Sequence, residues 1–131
     1  MGDLTDNLSR HEMACECGCG FDTVDIDLAF ALQDATDEFQ RRYPHDDVRL
    51  YISGPNRCVE HNRRVGGSEN SQHTLGRAAD FYLTASGSRI PNDDVADYLE
   101  QKYPGKWGVG RYVGRTHLDT RTNGPARWYR R

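Results

Sequence analysis

The sequence predicts an α+β fold, with helices packed around a small, mainly antiparallel sheet. One stretch near residue 30 repeats apolar residues at helical spacing, while several short runs elsewhere alternate apolar and polar residues. Turn signals at Pro44, Gly54-Pro55, Gly66-Gly67 and Pro104-Gly105 cut the chain between these runs.

Taken in order, residues 1–23 show no periodicity and are rich in Cys and Gly, so they read as an irregular cap. Leu28, Ala31, Leu32, Ala35 and Phe39 then recur at i, i+3 and i+4, the pattern of one buried helix face. Thr23 or Asp25 can cap that helix, and the Tyr43-Pro44 step ends it, because a residue before proline avoids the α region. Val48 to Ile52 alternates and runs into Ser53-Gly54-Pro55, which reads as a strand closed by a turn. Residues 58–65 form a short helix stopped by Gly66-Gly67. Ala78 to Leu83 is small and apolar around Asp80, a buried strand. Asn92 can cap a helix carrying Val95, Tyr98, Leu99 and Tyr103. Trp107 to Val113 and Thr116 to Thr120 read as strands joined at Gly114-Arg115, a hairpin signal.

The 131 residues suit one domain spanning 1–131. No run approaches the about 20 apolar residues of a membrane span, so no membrane insertion is expected. The acidic start, Met-Gly-Asp-Leu-Thr-Asp, lacks the features of a secretory signal, and synthesis in the cytoplasm is expected. A net charge of −3 with mixed signs argues against nucleic acid as a partner. Arg121, Arg127, Arg130 and Arg131 near the end read as a solvated tail, and a monomer is expected.

Cys15, Cys17 and Cys19 alternate as C-x-C-x-C, tighter than the usual C-x₂-C zinc hook. On a strand they would share a face. A metal site completed by Cys58, a disulfide to Cys58, and reduced thiols all remain open.

The segment with chemical content is Ser71-Gln72-His73-Thr74-Leu75-Gly76-Arg77-Ala78-Ala79-Asp80. A carboxylate among Ala78, Ala79, Phe81 and Leu83 costs several kcal/mol if it is buried and ionised without compensation. A divalent ion shared with His73 would compensate, and so would Arg77 or another arginine. Gly76 permits the turn that returns the imidazole toward the strand. In Thr116-His117-Leu118-Asp119-Thr120, period-2 geometry sets His117 and Asp119 on one face. They are either an exposed strand pair or part of the same site. Two imidazoles and a carboxylate suit zinc with one position left for water, and a nearby carboxylate can carry the proton. Asp119 is the candidate base.

Ser71-x-His73-x-x-Gly76-x-Ala78-x-Asp80 resembles the S-x-H-x-x-G-x-A-x-D signature of the zinc D-Ala-D-Ala carboxypeptidase superfamily. That superfamily includes murein endopeptidases, phage endolysins and the amino-terminal domain of hedgehog proteins. Ser53-Gly54, Arg57 to Asn62 and Gly66-Gly67 resemble its upstream segment. Cys17-Gly18-Cys19-Gly20-Phe21 is similar to the opening of small single-domain members, many of them phage-encoded.

The resemblance implies a hedgehog/DD-peptidase-like fold, Zn2+ held by His73, Asp80 and His117, and Arg57 holding substrate in the cleft. It implies Ser71 at the peptide or behind a ligand, and hydrolysis of peptidoglycan stem or crosslink peptides at the cell wall. A non-catalytic zinc-containing binding module of the same superfamily is the alternative. Two positions depart from the pattern. Gly114 stands where carboxypeptidase and endolysin branches carry an acid, and His117-x-Asp119 instead resembles the small murein endopeptidases. Ser53-Gly54-Pro55-Asn56-Arg57 is one residue longer than S-G-x-R. His61 is expected to satisfy a local partner, and Trp107, Tyr112 and Trp128 are left outside the site.

Overall fold

The computed structural model describes residues 2–130 of the chain; Arg131 of the basic tail lies outside them. In the amino-terminal cap, a single helical turn, α1 (Arg10–Met13), interrupts an irregular path. Leu8 and Met13 are fully buried, and Met13 O accepts from Asn56 N, so the cap is anchored in the core.

The apolar stripe around residue 30 becomes α2 (Ile26–Arg42), with Leu28, Leu32, Ala35 and Phe39 on its buried face. Asp25 precedes it as anticipated, but its carboxylate accepts from Thr120 Oγ1 rather than from the helix backbone. Strand β1 (Val48–Gly54) follows, then α3 (Val59–Arg64), β2 (Ala78–Ala85) and the two-residue β3 (Ser88–Arg89). Helix α4 (Asn92–Lys102) takes Pro91 as its N-cap; Asn92 is its first residue and donates to Val113 O. Strands β4 (Gly108–Arg111) and β5 (Thr116–Asp119) form the expected hairpin, and β6 (Ala126–Tyr129) ends the fold.

The strands make one sheet in the order β1-β2-β5-β4-β6, with β3 on β2. Pairing is antiparallel except between β4 and β6, which run parallel. Strand β6 corrects the solvated-tail expectation. Arg127 donates to the carbonyls of Tyr103, Lys106, Trp107 and Ala126, tying the end of the chain to the turn after α4.

Side chains alternate across the sheet. Leu50, Ala79, Phe81, Leu83, Val109 and Leu118 join the apolar faces of α2 and α4 in one core. Asp80, His117 and Asp119 therefore project from the opposite face, where the chain from residue 53 to 77 lies beside them. Among the described residues no helix is long and apolar enough to cross a membrane.

Phe39 is fully buried and sits on α2, away from the polar face. Phe39→Ala should cost about 3–5 kcal/mol in urea unfolding, with an unchanged dependence on urea concentration.

Candidate metal centre

His73 lies in a 3₁₀ turn, Gln72–Leu75, capped by Ser71, whose Oγ accepts from His73 N at 3.2 Å. Gly76 closes the turn with φ of 70°, and a side chain there would strike Thr23 O. His73 Nδ1 lies 2.9 Å from Pro55 O. A carbonyl only accepts, so Nδ1 carries the hydrogen and Nε2 presents its lone pair to Asp80 Oδ2, 3.6 Å away.

Asp80 on β2 and His117 on β5 are directly opposed in the antiparallel register. Their side chains meet, with His117 Nδ1 at 2.8 Å from Asp80 Oδ1. One donor atom each from His73, Asp80 and His117 lies within 4.8 Å of the other two. Glycines on the neighbouring strands make the room. Gly54 is paired with Asp80 and Gly108 with Asp119, and a Cβ at either would run into the facing carboxylate. At Gly110, opposite His117, the Trp128 ring fills the space a side chain would take.

This donor set fits zinc. Two imidazole nitrogens and a carboxylate oxygen converge, and with His73 Nδ1 committed to Pro55 O its Nε2 is the atom left to meet a cation. His117 shows the same demand. Burial disfavours its charged form, but hydrogen bonds to Asp119 and Asp80 outweigh burial and raise its pKa. A metal-free site thus holds a proton where an ion would bind. Burial acts to raise Asp80 as well, yet the two histidines hold its carboxyl well below the usual range.

Asp119 is fully buried on the far side of the His117 ring. Its Oδ2 accepts from His117 Nε2 at 2.7 Å and from Arg121 Nη2 at 2.7 Å. Its Oδ1 accepts from Arg121 Nε at 2.8 Å and Arg121 N at 3.2 Å. Both oxygens thus accept from His117 and Arg121, while Asp119 lines the same cleft as His73 and Asp80. The arrangement fixes the tautomer and tilt of His117, leaving Nδ1 for a metal.

A family model described as Peptidase M15 matches residues 6–119. The chain belongs to the M15 peptidases. Their zinc dependence agrees with the donor set, and the matched stretch contains His73, Asp80 and His117. A search of curated proteins finds no match.

In this M15 peptidase the site opens into a cleft with two adjoining lobes of about 390 and 790 Å³, which share Arg57, Val65, Asp80 and Arg115. The longer Ser53–Arg57 loop is absorbed inward. Asn56 is fully buried and donates to Thr23 O, while Arg57 N donates to His73 O. The Arg57 guanidinium reaches the cleft, donating through Nη2 to Ser71 Oγ, and its buried Nε has no protein partner. Ser71 thus links Arg57 to the turn bearing His73. His61 lines the smaller lobe, and its backbone N–H is bonded to Cys58 Sγ.

Arg115 was not anticipated. Its Nε is 3.6 Å from Asp80 Oδ2, and its guanidinium stacks at 4.0 Å on Tyr112. The signal was present, because residues 115, 117, 119 and 121 alternate along one strand direction. Trp128 also belongs to the site. It packs 5.0 Å from the His117 ring and donates to Tyr112 OH.

Asp119→Ala should weaken zinc binding about 10–100-fold, measured by competition with a chromophoric chelator. The raised His117 pKa gives the metal-free protein stability that is complete below about pH 6.5 and lost as pH rises through the folded value. Thermal unfolding of the metal-free form should therefore fall with alkaline titration. Zinc affinity, which requires loss of that proton, should rise over the same window, as calorimetry in buffers of differing ionisation enthalpy would record.

Proposed function

We propose that the chain is a zinc peptidase that hydrolyses a peptide bond in the stem or crosslink peptides of bacterial peptidoglycan, as a D-Ala-D-Ala carboxypeptidase or an endopeptidase of endolysin type. The observation that carries this reading is the convergence of His73 Nε2, Asp80 and His117 Nδ1 at the floor of an open polar cleft. Zinc held there supplies Lewis acidity, polarising the scissile carbonyl and acidifying a water.

The chain's own residues do the rest. Arg57 and Arg115 each present a guanidinium to the cleft with a buried Nε lacking a good hydrogen-bond partner, which suits a substrate rich in carboxylates and peptide carbonyls. Ser71 positions Arg57, and Asp119 positions His117. Gly114 stands at the position of the acid in related branches, whereas Asp119, bonded to Arg121, lines the larger lobe beside His73, Asp80 and His117. We propose Asp119 for the proton transfer.

The non-catalytic reading draws support from the same two features, Gly114 and the fully bonded Asp119. Asp119→Ala separates the two readings. In an enzyme loaded with excess zinc it should lower kcat by about 100-fold or more, whereas a binding module should keep its ligand affinity.

Incubation with purified sacculi, followed by mass analysis of the fragments, tests the proposal directly. Release of free D-Ala or opening of crosslinks is expected, lost on chelation and restored by zinc. Sacculi left intact by zinc-loaded protein would refute it. Arg57→Lys should raise KM by about 10–100-fold with a smaller effect on kcat, because paired planar donors are replaced by a point charge.

A further inference from the structure

The four cysteines gather at one point although the sequence separates Cys58 from the others by some forty residues. Their sulfur atoms all lie within 4.8 Å of one another, and all four are free thiols. Cys15 Sγ is 3.4 Å from Cys17 Sγ, which is 3.7 Å from Cys58 Sγ. Tetrahedral zinc with sulfur at about 2.3 Å sets its ligands roughly 3.7–3.8 Å apart, close to these separations.

We propose that Cys15, Cys17, Cys19 and Cys58 form a second, structural zinc site that fastens the amino-terminal cap to the cleft wall. The backbone is shaped for it. The strand alternation read from C-x-C-x-C is replaced by a tight loop, closed where Cys15 N donates to Phe21 O at 2.8 Å and turned where Gly18 N donates to Cys15 O. Gly18 and Gly20 take φ of 81° and 90°, a left-handed path that side chains resist. The three sulfurs thereby face one point. Cys58 is presented from the N-cap of α3. Backbone N–H groups support the sulfurs, His61 N donating to Cys58 Sγ at 3.3 Å and Cys58 N to Cys15 Sγ at 3.4 Å. Such donors stabilise thiolate charge at a metal.

The hydrophobic effect does not hold this loop, because residues 16–20 are all exposed. A four-thiolate ion would hold it, and four protein ligands close the coordination shell, as structural zinc requires. Soft sulfur donors select zinc over the harder divalent ions. The site also has a task. Glu16 lies between two of the ligands, Arg57 immediately precedes the fourth, and both line the smaller lobe of the cleft. The inference is independent of the peptidase reading, since it uses none of the His73, Asp80 or His117 contacts.

The test is metal content of the full chain, purified under mild reduction. About two zinc ions per chain are expected in the wild type. About one is expected in His73→Ala/His117→Ala, and about one in Cys17→Ser/Cys58→Ser. Cobalt substitution of the histidine variant should give the intense sulfur-to-metal charge-transfer absorption of a tetrathiolate site. Thiol titration after denaturation with chelator should find four reactive thiols. If the cysteine variant does not fold, the histidine variant decides alone. No zinc in it, a bound iron chromophore, or two thiols missing to a disulfide would each overturn the proposal.

Discussion

The polar face of the sheet is organised by one cross-strand pair, Asp80 against His117, held in register by β2 and β5. A carboxylate and an imidazole facing each other there cannot both be satisfied by solvent, because His117 is buried and Asp80 is largely covered. The chain answers with His73 from a third direction, giving a pocket whose three donors call for a cation. Everything nearby is fitted to that demand: glycines on β1 and β4 leave room for carboxylates, Ser71 holds the His73 backbone, and Pro55 O holds its ring.

Asp119 extends the same logic one layer outward. Burial alone would raise its pKa, but Arg121 and His117 together hold it well below the ordinary carboxylate range. It therefore stays ionised against His117 Nε2, strengthening that ring as a donor on its other side. A carboxylate near a metal can serve as base or as orienting partner. Here Arg121, two residues downstream, donates to both oxygens of Asp119 and favours its ionised form.

Much of this was legible before any coordinates. The stripe on α2 and the alternation on β1 depend on local periodicity, and both were read to within a few residues. The His73, Asp80 and His117 set stood out because an acid in an apolar strand has a physical cost that some partner must offset. What escaped the sequence was non-local. Strand β6 has only four residues, two of them Ala and Arg, and is held by pairing with β4 and by Arg127 reaching four carbonyls. Gly54 and Gly108 acquire meaning only once the register sets them against carboxylates. Period-2 geometry put Asp119 on the face of His117 but carried no information on which side of the ring it would sit.

The parallel addition of β6 has a consequence for how copies of the chain meet. Without it, β4 would present a row of free N–H and C=O groups, an open template for strand-to-strand association. With it, those groups are paired, and the outermost strand is short and tied back through Arg127 to Glu100 and four carbonyls. The short carboxyl-terminal strand thus works as a hem on the sheet, leaving a brief edge at the margin nearest the cleft.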